Sequence, residues 1–380
     1  MRGRADGRVR LGVIGLGTVA QAVHLPLLSR HRDRFQVTAV CDLSAELSES
    51  VTERFGLGVA ARCRSAAELL DGGLVDAVLI LTSGSHGAVA AGALERGLAV
   101  FCEKPLAYTL AEADELAAVA GRTGAPLQLG YMKLYDPAVR RAAAELASSG
   151  HRLRAVEVTV LHPSGASQLE HAGLAAPPGD VPAAATADLL EETGRLRDQA
   201  LGPAAGDLGR LYTEVLLGSV VHDLAVVRLL AGGVERVEHA DAWPDGAVES
   251  VAVDAVCPGG VRLGLRWHYL DRYPAYREEV RVHHEQGSIA LVFPSPYLLH
   301  APTVLTVTER DGDAVRERSS RSTVQAFEQE LLAFHGLVTE GRPPAAGVAE
   351  GRADILTCQR IVRRLAAGQD VGLAGEAARA

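Results

Sequence analysis

Three features of this chain are spaced as if to do chemistry: a glycine-rich turn, an acid that follows it, and a lysine set in Glu-Lys-Pro. The turn is Gly15-Leu16-Gly17-Thr18-Val19-Ala20, a G-x-G-x-x-A pattern between the aliphatic run 9–14 and a helical stretch. In such a turn the first glycine permits a tight bend. The second lets backbone approach a pyrophosphate, and a small residue at the last position lets the helix pack close to the strand. Backbone N–H groups at the helix start, here at Gly17, Thr18 and Val19, then face the anion. The chemistry implied is dinucleotide binding. Asp42 lies roughly 20 or more residues further on, where a carboxylate accepts hydrogen bonds from the adenosine ribose hydroxyls. Its charge repels a 2′-phosphate, which favours NAD; arginines close in space would still admit NADP. The other reading of Asp42 is a cap for the helix starting near Ser44.

These groups need a sheet to hold them. From 9 to about 130, apolar runs at 9–14, 36–41, 77–81, 99–102 and 127–130 alternate with helical stretches, 110–120 the clearest. That alternation predicts βαβ units and a parallel sheet covered by helices on both faces. Beyond a helix ending near 147 the texture changes. A strand at 155–161 is followed by an Ala-, Pro- and Gly-rich stretch, 163–209, and then by a helix at 211–230. Extended segments at 248–256, 261–269, 276–284 and 288–293 come next with no helices between them, which implies antiparallel pairing. The expected fold is an α/β N-terminal Rossmann domain with a doubly wound parallel sheet, plus an α+β C-terminal domain with an open, mostly antiparallel sheet. The expected divisions are a flexible stretch 1–8, a dinucleotide-binding domain 9–132 and a substrate and oligomerisation domain 133–370. The last contains 163–209 as an insertion or long loop and closing helices within 322–366.

The sharper signal is Phe101-Cys102-Glu103-Lys104-Pro105, a strand ending in Glu-Lys-Pro. With it go His24-Leu25-Pro26, Thr82-Ser83-Gly84-Ser85-His86, the run Gly130-Tyr131-Met132-Lys133-Leu134-Tyr135-Asp136-Pro137, Phe327-Glu328-Gln329-Glu330-Leu331 and Gly341-Arg342-Pro343-Pro344. Over nearly its whole length the chain resembles the oxidoreductase family of glucose-fructose oxidoreductase and inositol 2-dehydrogenase (Gfo/Idh/MocA). The resemblance implies that Thr82, His86, Glu103 and Lys104 lie at the cofactor, with His86 capping a helix there. It implies that Lys104 sits near the nicotinamide and the substrate hydroxyl, often before a cis proline, and that Tyr131, Lys133 and Tyr135 face the substrate. It further implies an open sheet that pairs with another subunit in a homo-oligomer, dimer or tetramer. A cation beside a secondary alcohol stabilises developing alkoxide as hydride leaves, so the chemistry of Lys104 agrees.

His222 is the second catalytic candidate, in Gly218-Ser219-Val220-Val221-His222-Asp223. A histidine pKa near 6.5 suits a proton shuttle. In the family resembled, an Asp four residues before this His shares its helical turn, and another commonly stands three residues after it. Here those positions are Gly218 and Ala225. Glu214 is eight positions earlier on the same helical face but roughly 12 Å away along the axis, so it would bind a larger substrate rather than orient His222. Asp223 points roughly 100° around the helix, as a domain-contact or capping residue would. Trp267, Tyr269, Tyr273 and Tyr276 form an aromatic group fit for a sugar site, a core or a subunit interface.

Composition narrows the partners. A chain of 380 residues exceeds what one core usually serves. A net charge of −9 with scattered charges offers no basic stripe for nucleic acid. The five cysteines, Cys41, Cys63, Cys102, Cys257 and Cys358, spell neither a disulfide framework nor a metal site and fit a reducing cytoplasm. No run is long enough to span a membrane. The leading reading is an NAD(P)-dependent dehydrogenase or reductase acting on a CH–OH group or ketone of a sugar, polyol or sugar-like substrate. The alternatives are a lyase or hydrolase that uses the cofactor for transient oxidation, and a non-catalytic cofactor-binding protein.

Overall fold

The computed structural model describes residues 7–244 and 248–380; of the flexible stretch expected at 1–8, all but the last two residues lie outside them. Two compact units emerge, one of residues 7–130, 171–199 and 330–355, the other of 131–170, 200–329 and 356–380.

In the first unit, strands β1 (Val9–Ile14), β2 (Phe35–Cys41), β3 (Ala61–Cys63), β4 (Ala77–Ile80), β5 (Ala99–Glu103) and β6 (Leu127–Gly130) form a parallel sheet in the order β3-β2-β1-β4-β5-β6. Five of them are the aliphatic runs of the sequence. The sixth, β3, is a three-residue Ala-Arg-Cys segment too short to show a period. Every residue of β4 and β5 is buried, as a parallel sheet flanked by helices requires. The flanking helices are α1 (Leu25–Arg30), α2 (Ala45–Arg54), α3 (Ala66–Asp71), α4 (Gly87–Glu95) and α5 (Leu110–Thr123). α5 carries its own start signal: Thr109 Oγ1 accepts from the Glu112 N–H while the Glu112 carboxylate accepts from the Thr109 N–H. Strand order reverses between β1 and β4, so the loops leaving their carboxyl ends border a crevice.

The other unit opens with the turn Met132–Tyr135, α6 (Pro137–Ser149) and β7 (Leu153–His162). The segment 163–209, an insertion or long loop on sequence grounds, is largely helical: α7 (Gly165–Leu169), α8 (Ala183–Leu201) and α9 (Asp207–Arg210). The alanines that made it look irregular are the strongest helix formers, and α8 runs for 19 residues. From Leu211 to Val220 the chain winds with wide i→i+5 turns before continuing as α10 (Val221–Ala231).

Strands β8 (Arg236–Pro244), β9 (Glu249–Cys257), β10 (Val261–Tyr269), β11 (Arg277–His284), β12 (Gly287–Phe293), β13 (Val304–Asp311) and β14 (Ala314–Arg321) join β7 in the order β14-β13-β12-β11-β7-β10-β9-β8. β7 and β10 pair in parallel, and the remaining neighbours pair antiparallel. The mostly antiparallel sheet is thus as expected, but larger. β8, β13 and β14 escape a sequence reading because charges interrupt their apolar alternation, and β14 has no buried residue. α10 packs on β7, α6 and the Met132–Tyr135 turn, which holds His222 and Tyr131 in one environment. The closing helices are α11 (Ala326–Glu340) and α12 (Val348–Gln369).

Candidate functional site

In the first unit the glycine loop meets the loop after β4 backbone to backbone. Gly15 has φ +92°, and a Cβ there would stand 2.8 Å from the Thr82 nitrogen, so no side chain fits. Gly17 is different: no atom lies within 4 Å of where its Cβ would be, and the bare face it presents is what close approach of a pyrophosphate needs. Gly17 and Thr18 are exposed and Val19 is half-buried where the first helix opens. Asp42 Oδ2 accepts from the Leu16 N–H at 2.9 Å and its Oδ1 accepts from the Ser44 N–H at 3.0 Å. Ser44, rather than Asp42, caps α2 by accepting from the Leu47 N–H. A carboxylate offers about four lone-pair sites, so Asp42 keeps acceptors for ribose hydroxyls. The glycine cradle and this carboxylate fit a dinucleotide.

His86 stands at the N-cap position of α4, but its side chain makes no cap hydrogen bond there. The buried ring instead bridges two carbonyls, with Nε2 2.8 Å from the Thr82 oxygen and Nδ1 2.6 Å from the Pro105 oxygen. It therefore ties the loop after β4 to the Pro105 carbonyl, one peptide beyond the cis bond between Lys104 and Pro105. Glu103, at the end of β5, is buried with Oε1 2.9 Å from His24 Nε2, and its Oε2 accepts from the Lys104 N–H at 3.2 Å. Burial pushes the Glu103 carboxyl up, but the His24 hydrogen bond, the His24 charge and Lys104 outweigh it and hold the group below the usual range. Glu330, fully buried, moves the other way, driven well above the ordinary glutamate value by burial and then by the charge of Glu103. Three of the sequence motifs thus meet around one buried carboxylate.

In the second unit Tyr131 and His222 meet edge to face, ring centroids 6.0 Å apart, and the Arg228 guanidinium lies 5.9 Å from the Tyr131 ring. Next to His222, Asp223 is buried in a charged cluster. Lys133 Nζ lies 2.5 Å from Glu278 Oε1 and 3.5 Å from Asp223 Oδ1, and the Tyr276 hydroxyl donates to Glu278 Oε2 at 2.6 Å. Burial raises both carboxyls. Lys133 and hydrogen bonds from Asp223 and Tyr276 bring Glu278 below its ordinary value, whereas Asp223 stays well above its own. Burial alone would lower Lys133, but its two carboxylates raise it. Tyr276 is pushed well up by burial and by Glu278.

Each expected site residue can now be placed. Gly15, Thr82 and His86 are linked, as are Glu103 and the Lys104 backbone; Asp42 is bonded to the glycine loop. Tyr131 is with His222. Lys133, expected to face substrate, is buried with its ammonium among carboxylates, and Tyr135 is buried beside the Arg140 guanidinium at 5.5 Å. Glu214 is exposed within the i→i+5 stretch, where the 100° per residue arithmetic that set it on the face of His222 does not hold. Asp223 belongs to the buried cluster, not to a cap. Among the aromatics, Trp267 is buried and donates to Ser219 Oγ at 3.0 Å, while Tyr273 is exposed. The ring at the centre of that group is His162, 5.2 Å from Trp267, 5.6 Å from Tyr276 and 6.4 Å from Tyr269, which sequence reasoning missed. Glu278 was missed too, although a signal existed: with Val280, Val282 and His284 it occupies the buried face of β11, where a charge demands a partner. Among the described residues, no group of three or more His, Cys, Asp or Glu is placed to hold a metal, and no helix is long and apolar enough to cross a membrane.

Residues 9–131 match the oxidoreductase family with an NAD-binding Rossmann fold. Inositol 2-dehydrogenase 3 of Saccharopolyspora erythraea is 37% identical over 145 residues, which make up 37% of this chain and 41% of that protein. The chain spans about two fifths of the length of the curated relatives it matches. Among solved structures, UDP-N-acetylglucosamine 3-dehydrogenase from Acidithiobacillus ferrooxidans is similar with a TM-score of 0.69 at 21% identity, over 95% of this chain and 98% of that one. A 3-ketoreductase from Actinomadura kijaniata, solved in complex with NADP, gives 0.69 at 19% identity, over 95% and 97%. At these identities the likeness is one of fold, carried through nearly the entire chain. The segment 9–131 is thus similar to the NAD-binding Rossmann domain of the Gfo/Idh/MocA oxidoreductase family, and the likeness of the rest of the chain is one of fold.

Proposed function

We propose that this protein is an NAD(P)-dependent dehydrogenase or reductase acting on a secondary alcohol or ketone of a sugar, polyol or sugar-like substrate. The observation that carries the reading is the strand end Glu103-Lys104-Pro105, held by His24 and His86 in the same unit as the bare face of Gly17. The names of the similar proteins, dehydrogenases of inositol and of a nucleotide sugar and a 3-ketoreductase, support the substrate class. Gly15, Gly17, Thr18, Val19, Asp42 and Thr82 would hold the dinucleotide, with NAD favoured by the carboxylate of Asp42. When bound, the cofactor supplies the hydride donor or acceptor. Lys104 Nζ stabilises charge on the substrate oxygen, and the His222 imidazole takes up or returns its proton. The buried Lys133 holds the segment carrying Tyr131 and Tyr135 in place.

The test is a panel of polyols, sugars and keto-sugars with NAD(H) and NADP(H), followed at the nicotinamide absorbance, with Lys104→Ala and His222→Ala alongside. Turnover lost in both variants is the expected result. A reaction indifferent to both substitutions refutes the assignment. Gly218, standing where the resemblance leads one to expect a carboxylate, favours as a second reading a lyase or hydrolase with transient oxidation. Product formation without net change in the cofactor would identify it. We also propose a homo-oligomer located in the cytoplasm. The exposed sheet face carrying Glu157, Thr159 and Arg262 supports the first part, and five buried free thiols support the second. Light scattering tests the oligomer.

A further inference from the structure

The stretch between α7 and α8 lies on the dinucleotide half of the first unit, and three contacts tie it down. Arg54, in the last turn of α2, donates to the Gly173 carbonyl at 2.5 Å. The Ala175 N–H donates to Gln21 Oε1 at 2.9 Å, and Gln21 Nε2 donates in turn to the Leu16 carbonyl inside the glycine loop. The third contact is at the N-terminus of α2. There Asp180 Oδ1 accepts from the Ser44 hydroxyl, and Oδ2 accepts from the N–H groups of Ala45 at 2.8 Å and Glu46 at 3.2 Å. These donors hold the Asp180 carboxyl below the usual range, the Ser44 hydroxyl contributing most.

Ser44, Ala45 and Glu46 follow directly on Asp42, which accepts from the Ser44 N–H. In a Rossmann domain the acid after the second strand holds the adenosine ribose hydroxyls, and a 2′-phosphate attached there needs donors or a cation beside that acid. A helix N-terminus is the natural source of such donors. Here they are already engaged by the carboxylate of Asp180. A 2′-phosphate would have to displace it, or else carry its charge of about −2 to within a few ångströms of both Asp42 and Asp180.

We infer that Asp180, brought in by the segment after α7, is a specificity residue that fills the place of the 2′-phosphate and makes this protein select NAD(H) over NADP(H). The inference rests on the reading of the first unit as a dinucleotide site. It differs from the argument on Asp42 alone, because it assigns part of the selection to a residue far away in sequence and outside the parallel sheet.

The experiment is calorimetric titration of the full chain, and of Asp180→Asn and Asp180→Ala, with NADH, NADPH and 2′,5′-ADP. Asn keeps an acceptor for the α2 donors and preserves the cap, so its folding is the safer; circular dichroism verifies both variants. The wild type should bind NADH tightly and NADPH weakly. Both variants should narrow the gap by about tenfold, the effect of one charge removed at close range. They should also acquire binding of 2′,5′-ADP that weakens as salt is raised. Equal binding of NADH and NADPH by the wild type would overturn the inference. So would a gap left intact in both variants, which would leave selection to Asp42. Failure of the wild type to bind either dinucleotide would overturn the underlying reading together with it, and that result is distinct from the other two.

Discussion

Glu278→Gln and Asp223→Asn each delete one carboxylate from the same buried cluster, yet their costs should differ several-fold. Lys133 lies 2.5 Å from Glu278 and 3.5 Å from Asp223. With Glu278 held below and Asp223 well above their ordinary values, Glu278 is the stronger acid of the two and carries the negative charge beside Lys133 more readily, while Asp223 holds its proton the longer and hydrogen-bonds to Glu278. Asn at 223 keeps the size of the side chain and a donor toward Glu278, and removes the carboxyl that ionises less readily, so the change should stay within about 1 kcal/mol. Gln at 278 leaves a buried ammonium without its anion. Removing one partner of a buried pair costs roughly 3–5 kcal/mol, and the lower end applies because Asp223 can ionise in its place. The assay is urea denaturation followed by tryptophan emission. The two tryptophans, Trp243 and Trp267, are on β8 and β10, so the signal reports the second unit alone. The sign with pH follows from linkage. Glu278, lowered in the folded state, gives stability that is present above the unfolded carboxylate value and lost as pH falls through the folded one, so the cost of Gln should shrink in acid. Asp223, raised, gives stability that is present below its unfolded value and lost as pH rises through the folded one, so Asn should compare best with the wild type at high pH. Equal costs for the two variants at neutral pH, or a larger cost for Asn, would refute this distribution of charge.

Other substitutions separate fold from binding. Gly17→Ala, at a position facing open space, should leave stability within about 0.5 kcal/mol and yet weaken dinucleotide binding by about an order of magnitude or more. Gly15→Ala must take a left-handed φ and meet the Thr82 nitrogen, so it should cost about 1–3 kcal/mol or more in a thermal melt. Glu103→Gln gives up a charge-assisted hydrogen bond to His24 and should lose about 1.5–3 kcal/mol at neutral pH, by calorimetry, with the loss fading in acid because the folded value of Glu103 is depressed. Glu330→Gln should do the opposite: the raised group loses stability as pH rises, so a neutral amide should match or exceed the wild type at alkaline pH. Thr109→Ala removes the capping box of α5 and should cost about 1 kcal/mol by the same calorimetry.

What was legible in the sequence was whatever is written locally. The aliphatic runs of a parallel sheet covered on both faces, the bend-and-approach pattern of Gly15 and Gly17, and the start signal of α5 each depend on residues a few positions apart. What was not legible depends on contacts between distant segments. Asp180 looks like one more polar residue in a stretch of Ala, Pro and Gly, and only the fold puts it on the first turn of α2. His24 stood in a recognisable motif without a role until β5 brought Glu103 to it. Lys133 read as a group facing substrate because its segment lies at the carboxyl edge of the sheet, where ligands bind, and because the resemblance implied it. Its two counter-charges, Asp223 and Glu278, come from a helix and a strand far along the chain.

The case of Glu214 and Gly218 goes further, because there it is the assumed local geometry that fails, and not only a contact between distant segments. Placing an acid four or eight positions before His222 on a common face presumes 3.6 residues per turn. Over 211–220 the backbone instead closes i→i+5 hydrogen bonds, so each turn holds more residues and the stacking of positions four apart is lost. The absent carboxylate at 218 is therefore not a simple deletion from an otherwise unchanged helix. The resemblance leads one to expect a single α-helical turn that carries acid and histidine together, whereas here α-winding begins only at Val221, one residue before His222. A motif defined by spacing carries a hidden premise about winding, and where the winding changes the same spacing no longer names neighbours.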